Sequence, residues 1–273
     1  MTDVTKFQFS NPSVPKAYEE FFVPRLFEPW GNLLLDEAKL IEGEAIIDVA
    51  TGPGTVARLA APRLGSKGRI VATDISRPML DIAKAKPDLT GAAPIEYVES
   101  PAAPLAAPTG AFDVVLCQQG LQFFPDRLGA LREMRRVLKP GGRAVIAVWA
   151  AIERNQIFAA FHAALRATTP PELADLITAP FSWHRTVELI TTVEEAGFRE
   201  VRILTRNLPM VLEKGLEQAV QSFSATPVSP GVAALSQSVQ DRFLAQMRRE
   251  LSPLVVDGKV IGEMVSNIIV ARA

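Results

Sequence analysis

The sequence predicts an α/β fold in which a mostly parallel sheet is covered by helices on both faces. Short β-branched apolar runs recur through the first 150 residues, as strands buried on both faces would read. Amphipathic segments of helical period separate them. The first run, Ile46-Ile47-Asp48-Val49, ends on a glycine turn, Gly52-Pro53-Gly54, that opens a helix. Strand and helix in that alternation imply right-handed crossovers.

In chain order, residues 1–15 are polar, carry Pro12 and Pro15, and read as an irregular arm. From 16 to 40 the pattern turns helical. Tyr18, Phe22 and Leu26 share one face, and Leu33, Leu34, Ala38 and Ile41 continue the stripe after Pro29-Trp30-Gly31 breaks the run into two helices. In 45–60 the strand yields to the glycine turn, Thr55 is placed to cap the helix, and Val56, Leu59 and Ala60 recur at helical spacing. A second strand covers 69–73, with Asp74 at its end. Ser76 is placed to cap a helix over 78–84, with Pro78 in its first turn. Further strands read at 95–98, 112–117 and 143–149. An amphipathic helix over 127–138 stops at Lys139-Pro140-Gly141-Gly142. Beyond Trp149 come a helix over 155–167, with Ile157, Phe158, Phe161 and Leu165 on one side, and a proline- and alanine-rich connector over 168–182. A helix over 187–196 closed by Gly197 and a strand over 201–204 follow. Residues 213–250 are helical with an interruption near 227–231, and a strand over 260–270 closes the chain.

Composition bounds the function. The chain has 273 residues, within the range of one α/β domain with additions. Its net charge of −1 and lack of any Lys/Arg block argue against a nucleic-acid groove. One cysteine, Cys117, allows no internal disulfide, which fits a cytoplasmic setting. No apolar run is long enough to span a membrane. The two histidines are far apart and no Cys/His cluster exists, so no metal site is expected.

The glycine turn is the candidate cofactor site. Glycines there let a ligand approach the backbone, and the helix behind offers free N–H groups. Gly52-x-Gly54-x-x-Ala57, with Asp74 about 20 residues on, fits a loose dinucleotide fingerprint. Asp48 discriminates. It sits within the strand, where a carboxylate is costly without a cation or several donors. The pyrophosphate of NAD would meet repulsion there, whereas the ammonium and sulfonium of S-adenosylmethionine (SAM) would be welcome. The plainer alternative is that Asp48 ties down the loop through backbone N–H groups.

Four stretches carry a resemblance. IIDVATGPG, RIVATDISRPML, FDVVLCQQGLQFFPD and LREMRRVLKPGGRAVIAVW occur in this order across about 40–150. They resemble the four core motifs of class I SAM-dependent methyltransferases, most closely the small-molecule branch that includes the ubiquinone and menaquinone C-methyltransferases. The resemblance implies a Rossmann-like, doubly wound, mostly parallel seven-stranded sheet with an antiparallel late strand and helical lid additions. The whole chain, 1–273, then reads as one domain: a helical cap (1–40), a SAM-binding core (41–150), and a substrate lid with the late strands (151–273).

The resemblance also assigns residues. Asp48, Thr51, Gly52 and Gly54 would hold the methionine end of SAM, and Asp74 the ribose. Ile75 and Met79 would wall the adenine. Where the family carries an acid for the adenine amino group, this chain has Pro101, so Glu99 or Ser100 substitutes, or adenine is held by backbone and apolar contacts. Gln118 would sit beside the methyl group. Tyr18, Phe22, Gln119, Phe123, Phe158, Phe181 and Trp183 would line the substrate cavity, enclosed and apolar above Gln118 and Phe123. Candidates for a catalytic base are His184, in the connector, His162, on a helix face with Phe158 and Leu165, and Glu19. A site without a base is the alternative.

The implied activity is methyl transfer from SAM, leaving S-adenosylhomocysteine, to an uncharged or apolar small molecule, with the acceptor atom (O, N or C) open. Competing readings are a SAM-binding protein of regulatory role and an NAD-dependent oxidoreductase. The latter lacks a Tyr-x-x-x-Lys pair, since neither Tyr18 nor Tyr97 has Lys at that spacing. The expected partners are a small-molecule substrate and a second copy of the chain, with neither nucleic acid nor membrane.

Overall fold

A computed structural model of the chain describes residues 13–273. Five parallel strands form its core: β1 (Ala45–Val49), β2 (Arg69–Asp74), β3 (Ile95–Glu99), β4 (Phe112–Gln118) and β5 (Leu138–Trp149). Later come β6 (Arg199–Leu212), β7 (Val255–Val256) and β8 (Lys259–Arg272). The sheet order is β3-β2-β1-β4-β5-β8-β6, with β8 antiparallel to both its neighbours. Seven strands and one antiparallel late strand match the Rossmann-like expectation. The eighth, two-residue β7 is an addition: it folds back on β8 across Asp257-Gly258, with Val255 opposite Val260.

Side-chain alternation places a core on each face of the sheet. Ile46, Ile70, Val114 and Val145 face one core, shared with the N-terminal helices and with helices Thr55–Leu64, Gln156–Thr168 and Gln237–Leu251. Ile47, Val71, Val115 and Ile146 face the other, under helices Arg127–Val137 and Thr186–Glu195. Strand order reverses between β1 and β4, which both begin counting outward from the middle. The carboxyl ends of these two strands are therefore where an α/β sheet opens a crevice for ligands.

Several boundaries differ from the sequence reading. Most of the expected irregular arm lies outside the described residues, but Ser13–Ala17 is a helical turn rather than arm. Pro29-Trp30-Gly31 does not break the N-terminal helices. Pro29 falls in the first turn of helix Glu28–Ala38, where its missing N–H costs nothing. The change comes one residue earlier, at the end of a π-helix over Tyr18–Phe27, where the Glu28 N–H donates to the Val23 carbonyl. Gly31 sits at a close approach: a Cβ there would lie 2.9 Å from Leu59 Cδ1, whose side chain would have to shift. The last two long strands extend well beyond the expected 201–204 and 260–270, pairing from Arg199–Arg272 to Leu212–Val260. The helical insertion between them is Gly215–Ser222, Ser229–Ala233 and Gln237–Leu251. Among the described residues no helix is long and apolar enough to cross a membrane.

Candidate cofactor and substrate site

The chain leaves β1 through Ala50 in a left-handed conformation (φ 59°), then turns on Gly52 (φ 55°) and Gly54 (φ 80°) into helix Thr55–Leu64. The two glycines do different work. A Cβ on Gly52 would meet nothing within 4 Å, so this side of the turn is open to a ligand. A Cβ on Gly54 would lie 2.8 Å from the Tyr97 hydroxyl and 3.1 Å from Ala83 Cβ, so this glycine is there for packing.

Asp48 is 1% exposed under this turn. Its Oδ2 accepts from the Thr51 hydroxyl at 2.6 Å and from the Ala57 N–H at 3.1 Å. It thereby caps the helix, a job the sequence suggested for Thr55, whose own buried Oγ1 has no protein partner. The loop-tying alternative for Asp48 is thus realised, but it uses only one oxygen: Oδ1 is buried without a partner. Burial pushes the Asp48 carboxyl up to about 7, against the pull of the Thr51 and Ala57 hydrogen bonds, with nearby Asp74 adding to the rise.

Asp74 stands half-buried at the end of β2. Its Oδ2 accepts from the Gly52 N–H and its Oδ1 from the Ser76 N–H, both at 2.8 Å. Burial raises its pKa despite these bonds. Ser76 occupies the cap position without a side-chain cap bond; Asp74 instead holds the Ser76 N–H just ahead of the helix. Ile75 is 74% exposed beside Asp74, free to act as an apolar wall, whereas Met79 is buried on the inner side of its helix. Both residues expected to substitute for the acid at Pro101 have protein partners. The Ser100 hydroxyl donates to the Pro101 carbonyl at 2.8 Å and accepts from the Ala106 N–H at 2.9 Å. Glu99 is exposed and paired with Arg77 at 3.4 Å.

Gln118 ends β4. Its Nε2 donates to the Phe27 carbonyl at 3.0 Å, so it ties down the end of the π-helix. Gln118→Ala should remove this bond at a cost of about 1 kcal/mol; a denaturant midpoint shifted by that amount with an unchanged slope would verify the tie. Gln119 turns the other way. In a left-handed conformation (φ 55°), its amide donates to Ser266 Oγ at 2.9 Å and lies 3.5 Å from Gln122, inside the sheet end. Phe123 is half-buried in the single turn Leu121–Phe123 that follows.

Most of the expected aromatics pack on one another. Tyr18 stacks on Phe27 with centroids 4.6 Å apart, and Phe27 reaches Trp149. Phe22 meets Phe158, which meets Phe181 at 5.3 Å. Apolar periodicity marked Tyr18, Phe22 and Phe158; burial of such rings against one another is worth about 1.5–3 kcal/mol each. Trp183 belongs to the opposite core. Its indole N–H donates to Glu188 at 2.8 Å and the Arg127 guanidinium lies 5.0 Å from its ring, because the chain rounds the sheet edge after Phe181.

The three base candidates do not converge on Gln118. His184 Nδ1 lies 2.7 Å from the Phe181 carbonyl, an interaction within its own turn. His162 is half-buried and off the apolar stripe of its helix; burial and Arg166 lower its pKa. Glu19 is ion-paired with Lys86 at 2.6 Å. Among the described residues no group of three or more His, Cys, Asp or Glu is placed to hold a metal. The sequence reading missed Phe27, Trp149 and Lys86. Trp149 ends β5 at the crevice, a position that was legible; Lys86 has no local signal.

Comparison with known proteins agrees with this geometry. A model of the ubiE/COQ5 methyltransferase family matches residues 20–205. A ubiquinone/menaquinone biosynthesis C-methyltransferase of Francisella philomiragia is 35% identical over 118 residues, 43% of this chain and 47% of that one. Its Hahella chejuensis counterpart is 28% identical over 54% of this chain and 67% of its own. The chain spans about half the length of the first of these relatives. Among solved structures, phosphoethanolamine N-methyltransferase 2 of Haemonchus contortus superposes with a TM-score of 0.62, at 17% identity, over 99% of this chain and 59% of that one. The YcgJ protein of Bacillus subtilis gives 0.58 at 16% identity, over 89% and 97%.

Proposed function

The chain belongs to the ubiE/COQ5 methyltransferase family, and from that premise we propose that it transfers the methyl group of SAM to an uncharged or apolar small molecule. The observation that carries the cofactor assignment is Asp48: a buried carboxylate oxygen without a partner, beside a turn whose Gly52 is open to a ligand. An ammonium group is the partner such an oxygen lacks. The same charge disfavours a pyrophosphate there, and so NAD. In this reading Asp48 takes the ammonium, Gly52 allows the close approach, and Asp74 exchanges its backbone bonds for the ribose hydroxyls. Adenine is held by backbone and by apolar surface such as Ile75, since Glu99 and Ser100 are otherwise engaged.

SAM supplies an electrophilic methyl on a sulfonium. The residues around Gln118 hold the acceptor in line and exclude water. Tyr18, Phe22, Phe27 and Trp149 support an apolar acceptor, and the relatives' names point to carbon on a quinone-type ring. With His162, His184 and Glu19 all turned elsewhere, transfer proceeds by positioning, on an acceptor that brings its own nucleophilicity. This reading implies a cytoplasmic enzyme, a single domain, acting alone or as a homodimer on a diffusing substrate.

The packing of Phe27, whose carbonyl Gln118 holds, against Tyr18 and Trp149 favours a second reading, SAM binding without transfer. Incubation with methyl-labelled SAM and a panel of apolar hydroquinones, phenols and amines separates the two. Label should pass to a hydroquinone or phenol. Binding of SAM with no label on any acceptor would support the regulatory reading instead.

A further inference from the structure

A single cation joins the glycine turn to the helix that covers it. Lys86 follows helix Arg77–Ala85. Its Nζ lies 2.6 Å from Glu19 Oε1 and donates to the Pro53 carbonyl at 3.0 Å. Pro53 stands between Gly52 and Gly54; Glu19 is in the first turn of the π-helix Tyr18–Phe27. The far end of that helix is held by Gln118 through the Phe27 carbonyl. The helix thus bridges the crevice from the β2 side to the β4 side and is pinned at both ends. Burial, with the Asp74 and Glu19 carboxylates adding to it, raises the pKa of the Tyr18 hydroxyl.

The pin at Lys86 is built to part. The Lys86 and Glu19 side chains are 20% and 32% exposed, shielded enough to matter yet in reach of water. Glu19 Oε2 is buried without a partner, so the pair leaves one desolvated oxygen uncompensated. A cleft of about 460 Å³ lies alongside, lined by Glu19, Val23, Thr55, Arg58, Leu59 and Lys86, and gives both side chains room to separate. Pro24 within the π-helix cannot donate a backbone hydrogen bond, which thins its backbone ladder, while Phe22, Val23 and Leu26 keep its inner face on the core. The helix's other charged tether, Arg25 to Glu213 at 3.0 Å, runs to the insertion and not to the cofactor core.

We propose that Lys86 is a positioning residue that gates the cofactor: the Glu19–Lys86–Pro53 bridge opens to admit SAM to Gly52 and Asp74, then re-forms to hold turn and helix together. The proposal rests on the SAM reading above. Opening precedes binding, so loss of the bridge speeds entry and exit alike and leaves the equilibrium nearly unchanged. A merely structural lysine would do the opposite, weakening affinity or the fold without speeding entry.

Stopped-flow mixing with SAM, followed by tryptophan fluorescence, tests this in the full chain. Trp149 reports on the helix because its ring lies 6.5 Å from Phe27. The parent's observed rate should level off at high SAM. Lys86→Met should raise that plateau and the dissociation rate together by roughly three- to tenfold, the effect of losing a partly shielded ion pair, with Kd within about threefold. Glu19→Gln, which keeps the side-chain shape and guards against loss of fold, should do the same. The double variant should add little, because both remove one bridge. Unchanged rates in both single variants, with the parent binding SAM, would overturn the latch alone; weaker Kd at an unchanged plateau would overturn it too. A parent that shows no SAM binding in equilibrium titration would remove the SAM reading and the latch with it.

Discussion

Asp48→Asn is expected to make the ligand-free protein more stable above pH 7 and to abolish most of its affinity for SAM. The carboxyl's folded-state value, about 7, lies above its ordinary 3.8. The stability carried by the neutral acid is therefore complete below about pH 4 and is lost as pH rises through about 7. A difference of that size is worth about 4 kcal/mol. The amide keeps an acceptor for Thr51 and Ala57, but its N–H₂ inherits the place of the unpartnered oxygen, at about 1–3 kcal/mol. The net gain at pH 8 is about 1–3 kcal/mol, several degrees in Tm, and it should vanish near pH 5. Affinity for SAM should fall by about 3 kcal/mol or more, the cost of breaking a buried charge pair, and by much less for an analogue without the amine. Binding to the parent near pH 6.5 should release a proton, visible as a buffer-dependent calorimetric enthalpy. Equal losses for both ligands, or no gain in Tm, would leave Asp48 as a loop residue only.

The glycine turn supplies the second large effect, and its two glycines should fail differently. Gly54→Ala places a Cβ 2.8 Å from the Tyr97 hydroxyl, at φ 80°, with Ala83 close behind. Overpacking and left-handed strain together should cost about 3 kcal/mol of stability. Gly52→Ala pays only the strain, about 1 kcal/mol, since its Cβ meets nothing within 4 Å. It should keep a near-normal melt but lose SAM binding, because its methyl projects into the open side of the turn. Melting curves and SAM titrations on the two variants give opposite rankings if the assignment is right. A Gly52 variant that melts early, or a Gly54 variant that melts normally, contradicts it.

What the sequence disclosed follows from how local each signal is. The unit from Ile46 to Leu64 was legible because strand period, turn glycines and helix period sit side by side. Asp48 stood out as a carboxylate in an apolar run. Asp74 was found at a strand end for the same reason, and both remain central. The capping role expected of Thr55 went instead to Asp48, whose reach across the turn no local pattern encodes, and Ser76 caps its helix with no side-chain bond. Apolar spacing identified Phe22 and Phe158 as inward-facing, but spacing says nothing of what stands opposite, and both pack in one chain of rings that reaches Phe181. Trp183 was misplaced because a turn at the sheet edge carries it to the other face. Pro29 looked like a break since a proline in a helix's first turn and one between helices read alike. Lys86 and Glu19 are distant in sequence, and only the fold brings them together.

The account's central claim is that SAM binds across the glycine turn and Asp74. Isothermal titration of SAM into the parent and Asp74→Ala at pH 8 tests it most directly. One site per chain is predicted for the parent, with affinity weakened in the variant by about 1.5–3 kcal/mol, the worth of hydrogen bonds to a charged group. An Asp74→Ala protein that binds SAM as tightly as the parent, or a folded parent that does not bind it, would contradict the account.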